Sequence, residues 1–184
     1  MTEPSAPAFT VLIPSRGRPQ TLLRGLATVQ AQTRRDWEAV VVDDGDGEAL
    51  AAVAALGDPR VRAVPCAGRG LVDARITGAT EARGRILCWL DDDDEWRDPA
   101  HLAAVAEALP PGSRRVAHRA GWLVRDDGSP PVPFDWPATP ESLRHDNTVL
   151  TSSIAYPREL HREIGLFDRS VGGYSDWDVL LLAL

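Results

Sequence analysis

Residues 91–95, four aspartates and a glutamate, follow directly on the apolar run at 86–90. Such a run repels itself, and setting it against an apolar segment is unfavourable unless a cation or water relieves it. A bound divalent ion is one resolution. The plainer one is a solvated acidic turn at the positive end of the helix that follows. Oxygen-only ligands, with no His or Cys pair nearby, favour Mg2+ or Mn2+ over zinc. A second acidic stretch, Asp43-Asp44-Gly45-Asp46, follows three valines, where it either forms a turn or accepts hydrogen bonds from a nucleobase or ribose. An EF-hand register fails there, because Gly and Glu do not fall at the required loop positions. Neither G-x-G-x-x-G nor a Walker A sequence occurs, which removes the main support for dinucleotide redox chemistry and P-loop phosphoryl transfer.

The elements that must position these carboxylates are legible as an alternation. Short β-branched or aliphatic runs at 9–13, 38–42, 61–64 and 86–90 read as strands, and residues 20–30, 48–56 and 71–82 read as helices between them. Strands alternating with helices imply right-handed crossovers and a mostly parallel sheet covered on both faces, an α/β doubly wound fold. Ligands of such sheets bind beyond the carboxyl ends of the strands, where the strand order reverses. In a 3-2-1-4 order, Pro14-Ser15-Arg16-Gly17-Arg18, the Asp43 loop and the 91–95 run converge on one cleft. Further on, 99–108 reads as a helix, 115–124 as a strand, 126–147 as a Pro-rich stretch that is either a functional loop or a disordered insert, 152–156 as ordered again and 157–164 as a short helix. The apolar tail at 179–184 packs on its own sheet or against another surface, which leaves an oligomer open.

Composition bounds the rest. The chain has 184 residues, a formal net charge of −7 and 43% hydrophobic residues, with 20 arginines, no lysine and 27 acidic residues. That is enough chain for one domain with a sizeable core. The charge balance argues against a nucleic-acid or anionic-membrane partner. Cys66 and Cys88 lack metal-ligand spacing and read as reduced, packed thiols, in keeping with a cytoplasmic location. No apolar run approaches the ~18 residues that would span a bilayer.

Together these stretches resemble family-2 glycosyltransferases of the GT-A fold. The resemblance runs in order through Val11-Leu-Ile-Pro14 with Arg18-Pro19, Val42-Asp-Asp-Gly45, residues 70–78 with Arg75, the segment from Gly84 to Asp94, Gly165-Leu-Phe-Asp168 and Tyr174-Ser-Asp-Trp-Asp178. It implies a single GT-A domain over 9–184, possibly shortened at its C-terminus, behind a flexible start at 1–8. A nucleotide-sugar-binding half would span 9–98, and a half for acceptor and catalytic base 99–184. It further implies that Asp91 and Asp93 hold Mg2+ or Mn2+ on a nucleotide-sugar diphosphate, with Asp92 near the ribose. Asp43 and Asp44 would read the base above a floor of Pro14, Ser15 and Arg16, and Arg75 would face the diphosphate. Asp176 would be the catalytic base of an inverting transfer to a hydroxyl-bearing acceptor; read from sequence alone, it could equally be a helix N-cap. At that base, Ser175 stands where the family commonly has Glu.

Trp96, Trp136 and His145 are candidate acceptor contacts, the first also a candidate for helix packing. A sugar-phosphate nucleotidyltransferase is the competing enzyme class, disfavoured by the absence of lysine; a catalytically weak nucleotide-sugar-binding relative acting with a partner is the non-enzymatic alternative.

Overall fold

The computed structural model describes residues 6–183 except 46 and 166. Asp46 of the second acidic stretch, Leu184 of the tail and residues 1–5 of the expected flexible start lie outside them. The chain begins β1 (Phe9–Ser15), α1 (Pro19–Gln30), β2 (Trp37–Asp43), α2 (Glu48–Leu56), β3 (Val61–Pro65), α3 (Leu71–Glu81), β4 (Ile86–Trp89) and α4 (His101–Ala108). It continues through β5 (Gly121–Leu123), β6 (Val132–Phe134), α5 (Pro140–Leu143), a 3₁₀ turn at Thr151–Ser153, β7 (Ala155–Pro157), α6 (Arg158–Ile164), a second 3₁₀ segment at Arg169–Tyr174 and α7 (Ser175–Leu182). The main sheet has the order β3-β2-β1-β4-β7, parallel in its first four members, so the 3-2-1-4 arrangement expected from the sequence is present. β7 closes the edge antiparallel to β4.

Alternation along the strands divides the core. Val11, Ile13, Val41 and Cys88 face α1 and α4, whereas Leu12, Val40, Val42 and Leu87 pack with α3, α6 and α7. α1 turns Leu22, Leu26 and Val29 inward at helical spacing behind Pro19 in its first turn. Two glycines set close approaches. A Cβ on Gly25 would stand 2.9 Å from the Asp94 carbonyl oxygen, so α1 lies directly against the acidic run. A Cβ on Gly78 would meet Leu12 and Val42 at 3.3 Å, so α3 rests low on the sheet. Under the opposite end of the sheet, Thr10 donates to buried Glu38 at 2.8 Å and accepts from the Gly84 N–H at 2.8 Å.

Two expectations change. The strand expected over 115–124 shrinks to β5 in a separate hairpin with β6; of its first half only Ala117 joins the sheet, exchanging two 2.8 Å backbone bonds with Ala155. The ordered stretch expected over 152–156 starts as a 3₁₀ turn, because the Ser153 hydroxyl and N–H both return to the Leu150 carbonyl. The 126–147 segment is also less irregular than its prolines imply, since Thr139 and Ser142 form a reciprocal cap on α5. In the tail, Val179 and Leu180 are buried and Leu181 and Leu182 are exposed.

Replacing Gly84 by Ala puts a Cβ 2.5 Å from the Phe9 carbonyl carbon and the Thr10 nitrogen, both backbone atoms that cannot give way. The expected cost is about 3 kcal/mol, and a fall in melting temperature of roughly 6–12 °C. Calorimetry of Gly84→Ala checks this; a melting temperature equal to wild type would show that the Thr10–Gly84 approach is looser than described.

Candidate active site

Because Ser15 pairs with Asp43 and β4 flanks β1 on the other side, the loops after β1, β2 and β4 open on one rim. Their carboxylates do different work there. Asp43 is buried and accepts four backbone N–H groups, from Gly45 and Gly47 on Oδ1 and from Ala49 and Leu50 on Oδ2. That fills its acceptor capacity and anchors the start of α2, which has no side-chain cap of its own. Of the two carboxylates expected to read a base, Asp43 is committed to these backbone bonds and Asp44 is less so. Both Asp44 oxygens lie 2.9 Å from the Gly70 nitrogen, which ties the β2 end to the entry of α3 and leaves lone pairs free.

The acidic run is wrapped rather than splayed. Pro14 and Ser15 are buried at the end of β1. The Arg16 N–H donates to Asp92 Oδ2 at 3.3 Å, and the Arg18 guanidinium lies 2.6 Å from Asp92 Oδ1 while its other nitrogen pairs with Asp93. Asp92 is thereby buried and Asp93 stays half-exposed. Ser152 completes the wrap, accepting from the Asp91 N–H at 2.9 Å and donating to Asp94 Oδ2. Burial pushes the Asp91 carboxyl up to about 6, with Arg75 opposing and Asp94 and Asp93 adding to the rise. Burial raises Asp92 and Asp94 as well. Desolvation more than mutual repulsion raises these carboxyls, a cost that a bound cation would offset.

Arg75 is the meeting point. Placed by α3 and only 3% exposed, it donates to the Ser175 hydroxyl at 2.8 Å and lies 3.5 Å from Asp91 Oδ1 and 3.8 Å from Asp176 Oδ1. It also stands over the Trp89 ring, 5.9 Å from the centroid. The guanidinium expected to face a diphosphate is thus held between two protein carboxylates and the Ser175 hydroxyl. Ser175, buried at the start of α7, supplies a neutral acceptor beside it.

Asp176 is not an N-cap. It sits inside the first turn of α7 and directs Oδ2 across the site to Asn147 Nδ2 at 3.1 Å and the Thr151 hydroxyl at 2.7 Å. The sequence offered Asn147, with His145 and Asp146, only as an acceptor contact, and Thr151 and Ser152 not as site residues; their partners lie 25 or more positions away, with only the Ser/Thr/Asn residue type as a signal.

The acceptor candidates do not gather there. Trp96 is buried, donates its ring N–H to the Ser152 carbonyl at 2.7 Å and stacks on His101 at 4.3 Å, so its faces are committed to packing. Trp136 is exposed between β6 and α5, and His145 meets Glu141 of the preceding turn at 3.1 Å. A cleft of about 410 Å³ does adjoin the acidic run, walled by Asp93, Asp94 and Ser152 on one side and by Arg119 and the exposed Trp122 on the other.

Among the described residues no three His, Cys, Asp or Glu side chains converge as a preformed metal cage. The donor set nevertheless fits a Mg2+- or Mn2+-type ion, which takes one or two carboxylates and completes its shell with substrate phosphates and water. Asp91 Oδ1, buried without a hydrogen bond, and half-exposed Asp93 are the groups that would serve.

The glycosyl transferase family 2 model matches residues 10–119, and the chain belongs to that family. It is 31% identical over 182 residues to the uncharacterized glycosyltransferase YwdF of Bacillus subtilis, covering 95% of this chain and 67% of that protein. It is 35% identical over 113 residues to the succinoglycan biosynthesis protein ExoO of Rhizobium meliloti, covering 60% and 32%. Among solved structures, the mannosyltransferase PcManGT of Pyrobaculum calidifontis, in complex with GDP-Man and Mn2+, superposes with a TM-score of 0.68 at 22% identity, covering 95% of this chain and 51% of that one. TarS of S. aureus in complex with UDP does so at 0.66 and 18%, covering 95% and 54%. The fold is GT-A, and the chain spans about half the length of these two solved neighbours.

Asp91 holds its proton in the folded state up to about pH 6, whereas an unfolded aspartate releases it near 3.9. Between these values the native state binds more protons, so this group's contribution to stability declines as pH rises from about 4 to about 6. Urea unfolding at stepped pH should show wild type losing on the order of 1 kcal/mol more than Asp91→Asn across that window. Parallel curves would contradict the burial of Asp91.

Proposed function

We propose that this chain transfers a sugar, with inversion, from a nucleotide-sugar donor to a hydroxyl acceptor. The observation that carries the reading is the position of Arg75 between Asp91 of the acidic run and Asp176 of α7, which joins a leaving-group side and a proton-accepting side in one site. Family membership supports glycosyl transfer as the reaction. The complexes of the neighbours with GDP-Man, Mn2+ and UDP support a nucleotide sugar and a divalent ion as ligands.

The nucleoside lies across the Pro14–Arg18 loop, with Asp44 accepting hydrogen bonds from the base and Asp92 next to the ribose. Asp91 and Asp93 would hold Mg2+ or Mn2+, which when bound would supply Lewis-acid stabilisation of the departing nucleoside diphosphate. Arg75 holds Asp91 in place and keeps a fixed positive charge beneath the site while negative charge grows on the leaving oxygen. Asp176 takes the proton of the acceptor hydroxyl as its oxygen attacks the anomeric carbon from the face opposite the diphosphate. One displacement inverts the centre, and no covalent enzyme intermediate is needed.

In a thermal-shift panel of UDP, GDP, UDP-N-acetylglucosamine and GDP-mannose, at least one compound should raise the melting temperature only with Mn2+. Asp93→Ala should lose that Mn2+-dependent shift. Asp176→Asn should retain it while slowing transfer, or hydrolysis of the selected nucleotide sugar, by about 10²-fold or more. Mn2+-independent binding, or an Asp93→Ala variant that binds as wild type, would overturn the metal assignment.

A further inference from the structure

Asp176 has two chemically different oxygens, and the difference is built by residues outside the acidic run and α7. Oδ2 accepts from Thr151 Oγ1 at 2.7 Å and from Asn147 Nδ2 at 3.1 Å. A carboxylate only accepts, so the Thr151 hydroxyl must donate. The orientation of the Asn147 amide is set on its other side, because its Oδ1 accepts from the Val149 N–H at 3.2 Å, leaving Nδ2 to face Asp176. Oδ1 lies 3.8 Å from the Arg75 guanidinium, an ion-pair separation too long for a hydrogen bond. Among the described residues Oδ1 accepts no hydrogen bond, and Asp176 also lines a cavity of about 10 Å³ with Arg75, Thr151 and Phe167, the size of a single water.

Thr151 occupies the first position of the 3₁₀ turn whose second residue, Ser152, grips Asp91 and Asp94. One turn thus fixes the carboxylate of α7 and the acidic run relative to each other. A Thr or Asn free in solution would gain little from such bonds; here the turn, the Leu150 carbonyl and Val149 hold both donors in place before any ligand arrives.

We propose that Asn147 and Thr151 are positioning residues for the base: together they saturate Oδ2 of Asp176 and reserve Oδ1 as the atom that takes the acceptor proton. The inference rests on the base assignment given under Proposed function and deepens it. With water as acceptor the step balances simply. The bond from the anomeric carbon to the diphosphate oxygen breaks, a bond from that carbon to the water oxygen forms, and one water proton passes to Oδ1. Nucleoside diphosphate and the inverted free sugar leave.

The test is hydrolysis of UDP-N-acetylglucosamine or GDP-mannose, whichever the thermal-shift panel selects, with nucleotide affinity measured in parallel. Thr151→Val, which keeps the shape and removes the donor, should lower kcat at least tenfold with the Kd for the nucleoside diphosphate unchanged, and Thr151→Ser should restore it to within about threefold. Asn147→Ala, on the loop before the turn, should lower kcat without altering Kd even if Thr151→Val fails to fold. Wild-type turnover in both variants, or equal losses in kcat and affinity, would overturn the proposal. An Asp176→Asn variant that hydrolyses at the wild-type rate would instead remove the base itself. Independently of any substrate, the Asn147 side-chain amide should show a hydrogen-bonded, slowly exchanging NMR resonance that collapses in Asp176→Ala; identical resonances in the two proteins would contradict the contact.

Discussion

A guanidinium buried among apolar side chains must be met by charge or by hydrogen-bond acceptors, since leaving it unpaired costs several kcal/mol. Arg75 satisfies that requirement with Asp91, Asp176 and Ser175, which come from the end of β4 and from the last helix of the described chain. The remainder of the site follows from this demand. α3 can present the arginine so deeply because Gly78 lets the helix settle on Leu12 and Val42. α7 must in turn bring its first turn over the sheet, and its buried Val179 and Leu180 hold it there. The same pairing leaves the rest of the acidic run short of positive charge, the shortage that the proposed cation would relieve.

Around this centre the polar residues divide between scaffold and chemistry in a way that residue type alone does not reveal. Asp43 spends both oxygens on the start of α2, and Asp44, beside it, spends one interaction on Gly70 and keeps the remainder. Arg18 offsets Asp92 and Asp93 from the solvent side, where half-exposure of Asp93 keeps it open to a ligand. Desolvation raises the carboxyls of Asp91, Asp92 and Asp94 above the ordinary aspartate range, so ionising the run carries a cost. The divalent ion proposed for this site would relieve that cost.

The order of strands, the rim where their ends meet and the bounds of α2 were legible because short aliphatic runs alternating with helices leave few topologies. The convergence of positions 75, 91 and 176 was visible only through family resemblance, since no local pattern links residues that far apart. Other features depend on tertiary partners. Trp96 reads as either helix packing or an acceptor contact until the Ser152 carbonyl and His101 of α4 are seen to hold it. The strand expected over 115–124 does not form as one element because only Ala117 meets β7, while residues 121–123 pair with β6 instead. Asn147 and Thr151 are ordinary loop residues in sequence, and only their donors' alignment on one carboxylate oxygen marks them.

The claim that one guanidinium binds the two sides of the site together is open to a double-mutant cycle in urea, pairing Arg75→Met with the combined Asp91→Asn/Asp176→Asn change. A coupling energy of about 1–3 kcal/mol, with the triple variant more stable than the separate losses sum to, is the predicted result. Additive losses, with no coupling beyond about 0.3 kcal/mol, would mean that Arg75 does not hold these carboxylates and that the site lacks its organising contact.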